Sequence, residues 1–260
     1  MSVQVTVAVI AAVVALLSAV FSAKTARSAA VLQARLQGEL EERRERSDKA
    51  ARLEQVVSRY RDPLLNAAFD LQSRIYNLIA VDYWKKIRSG DEEERSYAVK
   101  STLFVLAQYF AWTEALRRGV QFLDLGEVER NQGLGGRLEA IRSALATDKR
   151  FGSEFRIYRH HQRAIGEVML EAVRDAEAEG SRWQCLGYAS FCSKLDQDES
   201  FRTWFERLDH DVRKLGSGPG EARARLAGLQ NALIDLLDFL DEPAVRFPRR
   251  LRSKIDDGAG

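Results

Sequence analysis

The sequence predicts an all-α protein, in which an N-terminal transmembrane helix continues into a long helical stalk and a multi-helix bundle domain follows. Three observations favour this fold class. Residues 3–23 form an apolar run without charge. Only four prolines interrupt the chain, and none lies between Pro63 and Pro219, as expected for long helices, which proline breaks. Apolar residues then recur at helical spacing, and no segment shows the two-residue period of a strand.

The apolar run at residues 3–23 (VQVTVAVIAAVVALLSAVFSA) predicts a transmembrane anchor. At about 1.5 Å per residue, a helix of this length covers about 30 Å, the thickness of the hydrocarbon core of a bilayer. A cleaved signal peptide is the alternative interpretation. It would need a basic residue before the run and a small-residue cleavage site after it, and the sequence has neither.

The charges that flank the run predict its orientation. Lys24, Arg27 and Arg35 follow the run before any acidic residue, whereas no basic side chain precedes it. By the positive-inside rule, this asymmetry places the bulk of the chain in the cytoplasm. We therefore expect a single-pass protein of the cell membrane.

Residues 24–60 predict a solvated helical stalk. They contain no proline and one glycine, and acid–base pairs at i,i+4 spacing, such as Glu42 with Arg46, support a helix. Residues 41–49 are entirely polar, so the heptad pattern of a coiled coil is not sustained. A spacer is favoured over a dimerising coiled coil, whose short apolar seam would be Val31, Leu32, Leu36 and Leu40.

A helical domain is predicted over residues 61–242. The segment Arg61-Asp62-Pro63 is typical of a helix start, because Asp caps a helix and Pro fits its first turn. The run at residues 102–112 (TLFVLAQYFAW) is too short to span a membrane, which takes about 20 residues, and it predicts a buried core helix. The glycine-rich segment at 216–220 predicts a turn. Further helices are predicted at residues 154–179, 183–195, 201–215 and 222–240.

A basic tail is predicted over residues 243–260. Its positive side chains are Arg246, Arg249, Arg250, Arg252 and Lys254. Disorder is the favoured interpretation of this segment. The alternative hypothesis is that these side chains contact anionic lipid.

Three segments, YRDPLLNAAFDLQSRIYNLI at 60–79, QFLDLG at 121–126 and QRAIGEVM at 162–169, carry a resemblance to a known group. They resemble segments of bacterial, notably actinobacterial, single-pass membrane proteins with a helical cytoplasmic domain. No activity is attached to that group. The resemblance therefore implies a bacterial membrane protein, and it transfers no functional residues.

The sequence carries no recognisable catalytic, metal or cofactor motif, so we predict no catalytic, metal-binding or cofactor-binding residues, and an enzyme is the less favoured class. The glycines of residues 133–136 are followed by Arg137-Leu138, not by the Lys-Ser/Thr of a P-loop. The adjacent His160 and His161 would point about 100° apart on a helix and could not clamp one metal ion. A net charge of +2 offers no field for nucleic acid.

The two cysteines, Cys185 and Cys192, are expected to be reduced, structural thiols on one face of a helix, two turns apart. Asn66, Asp70, Ser73 and Asn77 form a polar line on the first domain helix. A solvent-exposed face is favoured for that line over a buried polar seam.

One cluster is a candidate for binding: Arg156, Arg159 and Arg163 lie at helical spacing and would share a face. Guanidinium groups suit phosphate and carboxylate ligands, so this face is a possible anion-binding site. The alternative is a solvated stripe in which Glu154 and Glu167 pair with the arginines.

An anchor, a spacer and a core without a recognisable reaction centre predict a membrane-tethered helical interaction or scaffold module. Such a module would bind a protein partner or a second copy of itself. The alternative function is an anion or small-ligand sensor that uses the Arg156, Arg159 and Arg163 face.

Overall fold

The computed structural model describes residues 3–119, 128–149, 151–174 and 181–256. These residues are mostly helical, which confirms the predicted class in its coarse form. The chain divides into two compact units, Met1–Val56 and Val57–Gly260. The segment QFLDLG at 121–126 lies outside the described residues.

No helix in the described part of the chain is long and apolar enough to cross a membrane. Most side chains of residues 3–23 lie outside the described set. The transmembrane anchor therefore stays a prediction.

Helix α1 extends from Val3 to Ala80, and its residues up to Val56 belong to the first unit. Residues 35–48 are all exposed, as in a solvated helix. Arg46 and Glu42 form a 3.0 Å ion pair on this surface, which contributes about 0–1 kcal/mol because both side chains remain in water. Leu36 and Leu40 are also exposed.

The predicted helix start at Pro63 is wrong, because α1 continues through this residue. An internal proline removes one backbone hydrogen bond and crowds the carbonyl four residues earlier. The helix nevertheless continues on both sides, since Tyr60 and Leu64 on the flanking turns are both buried in the core. Favourable packing of an apolar stripe outweighs the local preference of one residue.

The C-terminal part of α1 belongs to the second unit. Its buried apolar stripe consists of Leu64, Ala68, Leu71, Ile75 and Leu78. The helix ends at Ala80, and two short connections lead through α2 (Trp84–Ser89) to α3 (Glu92–Gly119). Asp91 caps α3, accepting a 2.8 Å hydrogen bond from the Glu94 backbone N–H.

Helix α3 is the centre of the second unit, with most of residues 102–112 buried as predicted. It contacts elements α2, α5, α6, α8 and the second β-strand. The remaining elements are α4 (Val128–Ala146), α5 (Arg159–Val168), β1 (Leu170–Arg174), β2 (Ser181–Cys185), α6 (Tyr188–Gln197), α7 (Glu199–Thr203), α8 (Glu206–Lys214) and α9 (Ala222–Leu240).

Helix α9 has the predicted bounds and packs against α4. The predicted turn before α9 is confirmed as well. Gly218 and Gly220 both have positive φ angles, of 105° and 41°, which glycine adopts without the steric cost of a side chain.

The predicted helix over residues 154–179 is wrong, because α5 ends at Val168 and an antiparallel hairpin follows. Strand β1 pairs with β2 in a register that places Leu170 opposite Cys185 and Ala172 opposite Trp183. The segment LEAVR favours a helix by intrinsic propensity. Pairing with β2, which also contacts α3, overrides that local preference.

Residues 243–256 do not form the disordered tail that their composition predicts. The Phe247 ring stacks on Phe69 with centroids 3.9 Å apart, and Ile255 is buried in the core. Several basic side chains pair with acidic residues of the same unit, as Arg246 does with Asp62 and Lys254 with Asp235. The acids and the apolar contacts that hold this segment lie on α1 and α9, so its own composition did not reveal them.

Candidate anion-binding site

The three arginines predicted to share a face lie in different surroundings. Helix α5 begins at Arg159, so Arg156 precedes the helix and its guanidinium lies over the Tyr158 ring, 5.4 Å from the centroid. Arg159 forms a two-pronged ion pair with Glu139 on α4. Arg163 lines a pocket together with residues of α3 and α4. The predicted common face is therefore absent.

The approach of α5 to α3 positions Arg163. A Cβ atom on Gly166 would lie 2.5 Å from the Phe110 carbonyl oxygen on α3, closer than non-bonded atoms tolerate. Glycine at this position lets the two helix backbones meet. One turn earlier on α5, the Arg163 guanidinium consequently lies 3.8 Å from the Glu114 carboxylate of α3.

Gln162 fixes the other wall of the pocket. Its side-chain amide donates hydrogen bonds to the Ile157 carbonyl at 2.8 Å and to the Arg142 carbonyl on α4 at 3.2 Å. This buried amide ties α5 to α4. The backbone from which the Arg142 side chain extends is therefore held in place.

Glu114 is a buried carboxylate on α3. Its side chain is 2 % exposed. Arg117 donates to both carboxylate oxygens at 2.7 and 2.5 Å, and Arg118 donates at 2.7 Å. Burial alone would raise the pKa of Glu114, but the hydrogen bonds from the two arginines outweigh it and the pKa is lowered. Glu114 is thus an anion at neutral pH, and it orients Arg117.

The pocket between α3, α4 and α5 has a volume of about 120 Å³ and is lined by eight residues: Tyr109, Phe110, Thr113, Glu114, Arg117, Arg142, Gln162 and Arg163. We call it the arginine pocket. Three guanidinium groups face it, and one carboxylate. The arrangement is suited to hold an anion.

Arg142 and Arg163 have no close carboxylate among the described residues. The nearest acid to Arg142 is Glu139, at 3.9 Å, and that carboxylate is already engaged by Arg159. Arg163 lies 3.8 Å from Glu114 and 3.9 Å from Glu167. These separations exceed the 2.7–2.9 Å of a charge-assisted hydrogen bond, so both groups retain donors for a ligand.

Tyr109 is a buried lining residue of the pocket and carries a neutral hydroxyl. Burial raises the pKa of Tyr109, and the positive charge of Arg142 only partly opposes this effect. The hydroxyl is therefore protonated at neutral pH. A protonated phenol is a hydrogen-bond donor to an anion.

The buried Glu114 carboxylate is expected to stabilise the fold. We expect Glu114→Gln to lower the free energy of unfolding by about 1–3 kcal/mol at neutral pH, because the amide gives up charge-assisted hydrogen bonds to Arg117 and Arg118. The pKa of Glu114 is lowered in the fold, so its stabilisation is complete above the ordinary glutamate pKa of about 4.3 and is lost as the pH falls through the lower folded value.

Urea denaturation at about pH 7 and about pH 3.5 measures this difference. The gap between wild type and Glu114→Gln should narrow on acidification. Glu167→Gln is the matched control, since its side chain is 41 % exposed and its loss should cost only about 0–1 kcal/mol. Equal losses in the two variants would contradict a special role for Glu114.

The sequence did not reveal Arg142, Arg117 or Tyr109 as members of one site. They come from two helices whose packing is tertiary information. Gly166 was the available sign, because a glycine inside a helical pattern often marks a close backbone contact. Gly166 lies within one helical turn of Arg163, so this glycine indicates that the α5 segment near Arg163 contacts another helix.

The polar line of α1 and the glycine-rich segment at 133–136 are both in the described part of the chain. Asn66, Asp70 and Asn77 are exposed, as favoured, whereas Ser73 is half-buried and accepts a 2.8 Å hydrogen bond from Gln72. The glycines of residues 133–136 lie inside α4. No group of three or more His, Cys, Asp or Glu side chains that could hold a metal ion occurs among the described residues.

The cysteines are not two turns apart on one helix, because Cys185 lies in β2 and Cys192 in α6. Both thiols are free. Burial raises the pKa of Cys185 to about 12, so this thiol is not a nucleophile at neutral pH. The earlier expectation failed because the hairpin replaced the predicted helix at this position.

Comparisons with protein-family models, curated proteins and solved structures find no match to this chain. Function is therefore inferred from the residues of this chain alone.

Proposed function

We propose that the chain is a membrane-tethered helical interaction module, whose folded second unit lies in the cytoplasm and binds a protein partner or another copy of itself. The uncharged run at residues 3–23 and the basic residues that follow it support the tether and its orientation. The anchor is a single span, and the attachment is to the cell membrane.

The observation that carries this proposal is the continuity of α1. One helix extends from Val3 to Ala80. It contains the apolar run at one end, and at the other end the stripe that begins at Tyr60 and is buried in the core of the second unit. An anchor joined by uninterrupted helix to a folded core is the arrangement that a tethered module requires.

An exposed aromatic patch supports the interaction part of the proposal. We define the patch by Tyr158, His161 and Trp204. Tyr158 is 49 % and Trp204 39 % exposed, and His161 lies between them, with ring centroids 6.3 and 5.7 Å away. Aromatic residues are enriched at protein interfaces, and clustered apolar surface is typical of an interaction site.

The tether is tested by membrane fractionation. We expect the full chain to remain in the membrane pellet after alkaline carbonate extraction. In the variant Val13→Lys/Leu17→Lys, each lysine near the middle of the run costs about 2.5–3.5 kcal/mol of insertion free energy, and the chain should move to the supernatant. Ser22→Lys, at the end of the run, is the control that should stay in the pellet. Wild-type chain in the supernatant would refute the tether.

The interaction is tested by affinity purification from detergent-solubilised membranes, against a control that carries only residues 1–60. A partner that requires residues 61–260 and is lost in Trp204→Ala supports the proposal. Val245→Ala is the matched control, because this apolar side chain is 79 % exposed elsewhere on the second unit. If the full chain retains neither a partner nor a second copy, the interaction proposal fails.

The alternative function, an anion sensor, retains only Arg163 of the three predicted arginines. Its support is the arginine pocket, in which Arg142 and Arg163 have donors left for a ligand.

A further inference from the structure

We infer that the arginine pocket is a binding site for a phosphate-type dianion, either free inorganic phosphate or the terminal phosphate of a monoester. The ligand would be held by Arg142, Arg163 and Arg117, with the Tyr109 hydroxyl as a neutral donor. This site is distinct from the aromatic patch, and it does not depend on membrane attachment.

The charge of the pocket favours a dianion over a monoanion. Its lining residues include three guanidinium groups, on Arg117, Arg142 and Arg163, and a single carboxylate, on Glu114. The lining thus carries two positive charges in excess. A phosphate dianion neutralises both, whereas acetate or chloride neutralises one.

The geometry favours a tetrahedral oxyanion. Arg117 is oriented by its bonds to both oxygens of Glu114, and the Arg142 backbone is held by Gln162. Arginine presents its donors as a planar fork that matches phosphate oxygens. Arg142 and Arg163 present open forks from two helices, and Arg117 on a third helix adds the donors that Glu114 leaves open. Donors from three directions suit a tetrahedral oxyanion better than a planar carboxylate.

The size of the pocket limits what it accommodates. A volume of about 120 Å³ is below the roughly 300 Å³ at which pockets for drug-sized ligands begin. One phosphate group with its hydration fits, and the body of a larger ligand would have to remain outside. Arg142 and Arg163 are 47 % and 48 % exposed, so the pocket opens to solvent between them and a monoester could extend through this opening.

The guanidinium groups of Arg142 and Arg163 have donors that no close ion pair among the described residues occupies before a ligand binds. Arg142 and Arg163 need not leave a close ion pair, so binding avoids the cost of breaking one. Partial burial in the cleft strengthens their attraction to an anion relative to a fully exposed surface.

The test uses the full chain purified in detergent and isothermal titration with inorganic phosphate, glycerol 3-phosphate and acetate at matched ionic strength. Matched ionic strength is required because salt screens such interactions. We expect both phosphates to bind and acetate to bind at least about tenfold more weakly, as the loss of one favourable charge interaction implies. Tighter binding of the monoester would assign the pocket to the end of a larger ligand, and binding of inorganic phosphate alone would assign it to the free ion.

Variants locate the binding in the pocket. Arg142→Gln and Arg163→Gln should each raise the phosphate Kd by about tenfold, and the double variant should abolish measurable binding. Both side chains are half exposed, so these variants should fold, and thermal unfolding without ligand checks this. Arg213→Gln, an exposed arginine of α8 paired with Asp209, is the control that should bind phosphate as the wild type does.

Three results would overturn the inference. Wild-type chain that takes up neither phosphate refutes the site. Phosphate binding that survives in the Arg142→Gln/Arg163→Gln variant refutes its location. Acetate binding as tight as phosphate binding would refute the dianion class. None of these outcomes depends on whether the chain fractionates with membranes or retains a partner.

Discussion

Replacing Arg252 with alanine should lower the free energy of unfolding by about 3–5 kcal/mol, the usual cost of removing one partner from a buried ion pair. Arg252 and Asp241 are both nearly inaccessible to solvent. The Arg252 guanidinium also donates to Asp238 at 2.9 Å, to the Asp241 carbonyl at 3.2 Å and to the Phe247 carbonyl at 2.6 Å. The variant would leave a buried carboxylate without its cation.

Asp241 makes the same contact sensitive to acid. Burial alone would raise the pKa of Asp241, but hydrogen bonds from the backbone N–H groups of Phe247, Arg246 and Val245, together with the charge of Arg252, hold the pKa below its ordinary value. The stabilisation is therefore complete above the ordinary aspartate pKa of about 3.9 and is lost as the pH falls through the lower folded value.

Urea denaturation at neutral pH measures the loss, and limited proteolysis reports whether residues 243–256 detach from α1 and α9. Arg249→Ala is the matched control. Its side chain lies on the surface and makes one hydrogen bond, to the Glu242 carbonyl, so the variant should differ from wild type by less than about 1 kcal/mol. Loss of stability in Arg249→Ala as large as in Arg252→Ala would show that the buried pair has no special weight.

The buried ion pair of Arg252 with Asp241 also shows why the folded state of residues 243–256 could not be predicted from sequence. Its local composition, two prolines and several arginines, is that of a solvated tail. Of the residues that hold it, Gln230 and Asp238 belong to α9, Asp241 directly follows α9, and Phe69 belongs to α1. A buried ion pair between segments leaves no trace in the periodicity of either one.

Helices with a continuous apolar stripe were predictable, and α9 is the clearest case. Its leucines recur at helical spacing. The glycine-rich turn before it marks the residue at which the helix begins. The hairpin was not predictable in the same way. The segment LEAVR carries helix-forming residues, and only pairing with β2 and contact of β2 with α3 make the strand favourable.

Anion binding by these arginines stays a prediction, and the three do not belong to one cluster. Arg163 lines the arginine pocket. The helical face that would unite Arg156 with Arg163 does not exist, because α5 starts after Arg156. The other two arginines that line the pocket are Arg117 on α3 and Arg142 on α4, and the close contact of α5 with α3 at Gly166 brings Arg163 near Arg117.

Arg225 carries the second large effect, because it is a fully buried cation without a carboxylate partner among the described residues. Its guanidinium donates to four backbone carbonyls, those of Ala144, Leu145, Thr147 and Gly152, at 2.7–3.2 Å. The first two belong to the last turn of α4, where helix carbonyls lack intrahelical donors. Arg225 thus caps α4 from outside and ties the following loop to it.

The compensation for burying this charge comes from dipoles. The C-terminal end of a helix carries a partial negative charge, and each carbonyl adds its own dipole. Burial, followed by the neighbouring positive charges of Arg156 and Arg207, lowers the pKa of Arg225. Arginine nevertheless stays protonated in proteins, so the four carbonyls stabilise a full positive charge.

We expect Arg225→Leu to lower the free energy of unfolding by about 3–5 kcal/mol, since buried carbonyls that lose their donor each cost about 1–3 kcal/mol and water recovers part of that loss. Arg225→Lys keeps the charge but not the planar fork, so it should lose an intermediate amount. Urea denaturation measures both variants.

Arg223→Leu is the matched control for these variants. This neighbouring arginine is exposed and donates one hydrogen bond, to the Ile79 carbonyl at 2.7 Å, so its loss should cost about 1 kcal/mol. If Arg225→Lys were as stable as wild type, charge alone would account for the cap and the fork would be dispensable. If Arg225→Leu cost no more than Arg223→Leu, the carbonyls at the end of α4 would have found other donors, and the proposed cap would be wrong.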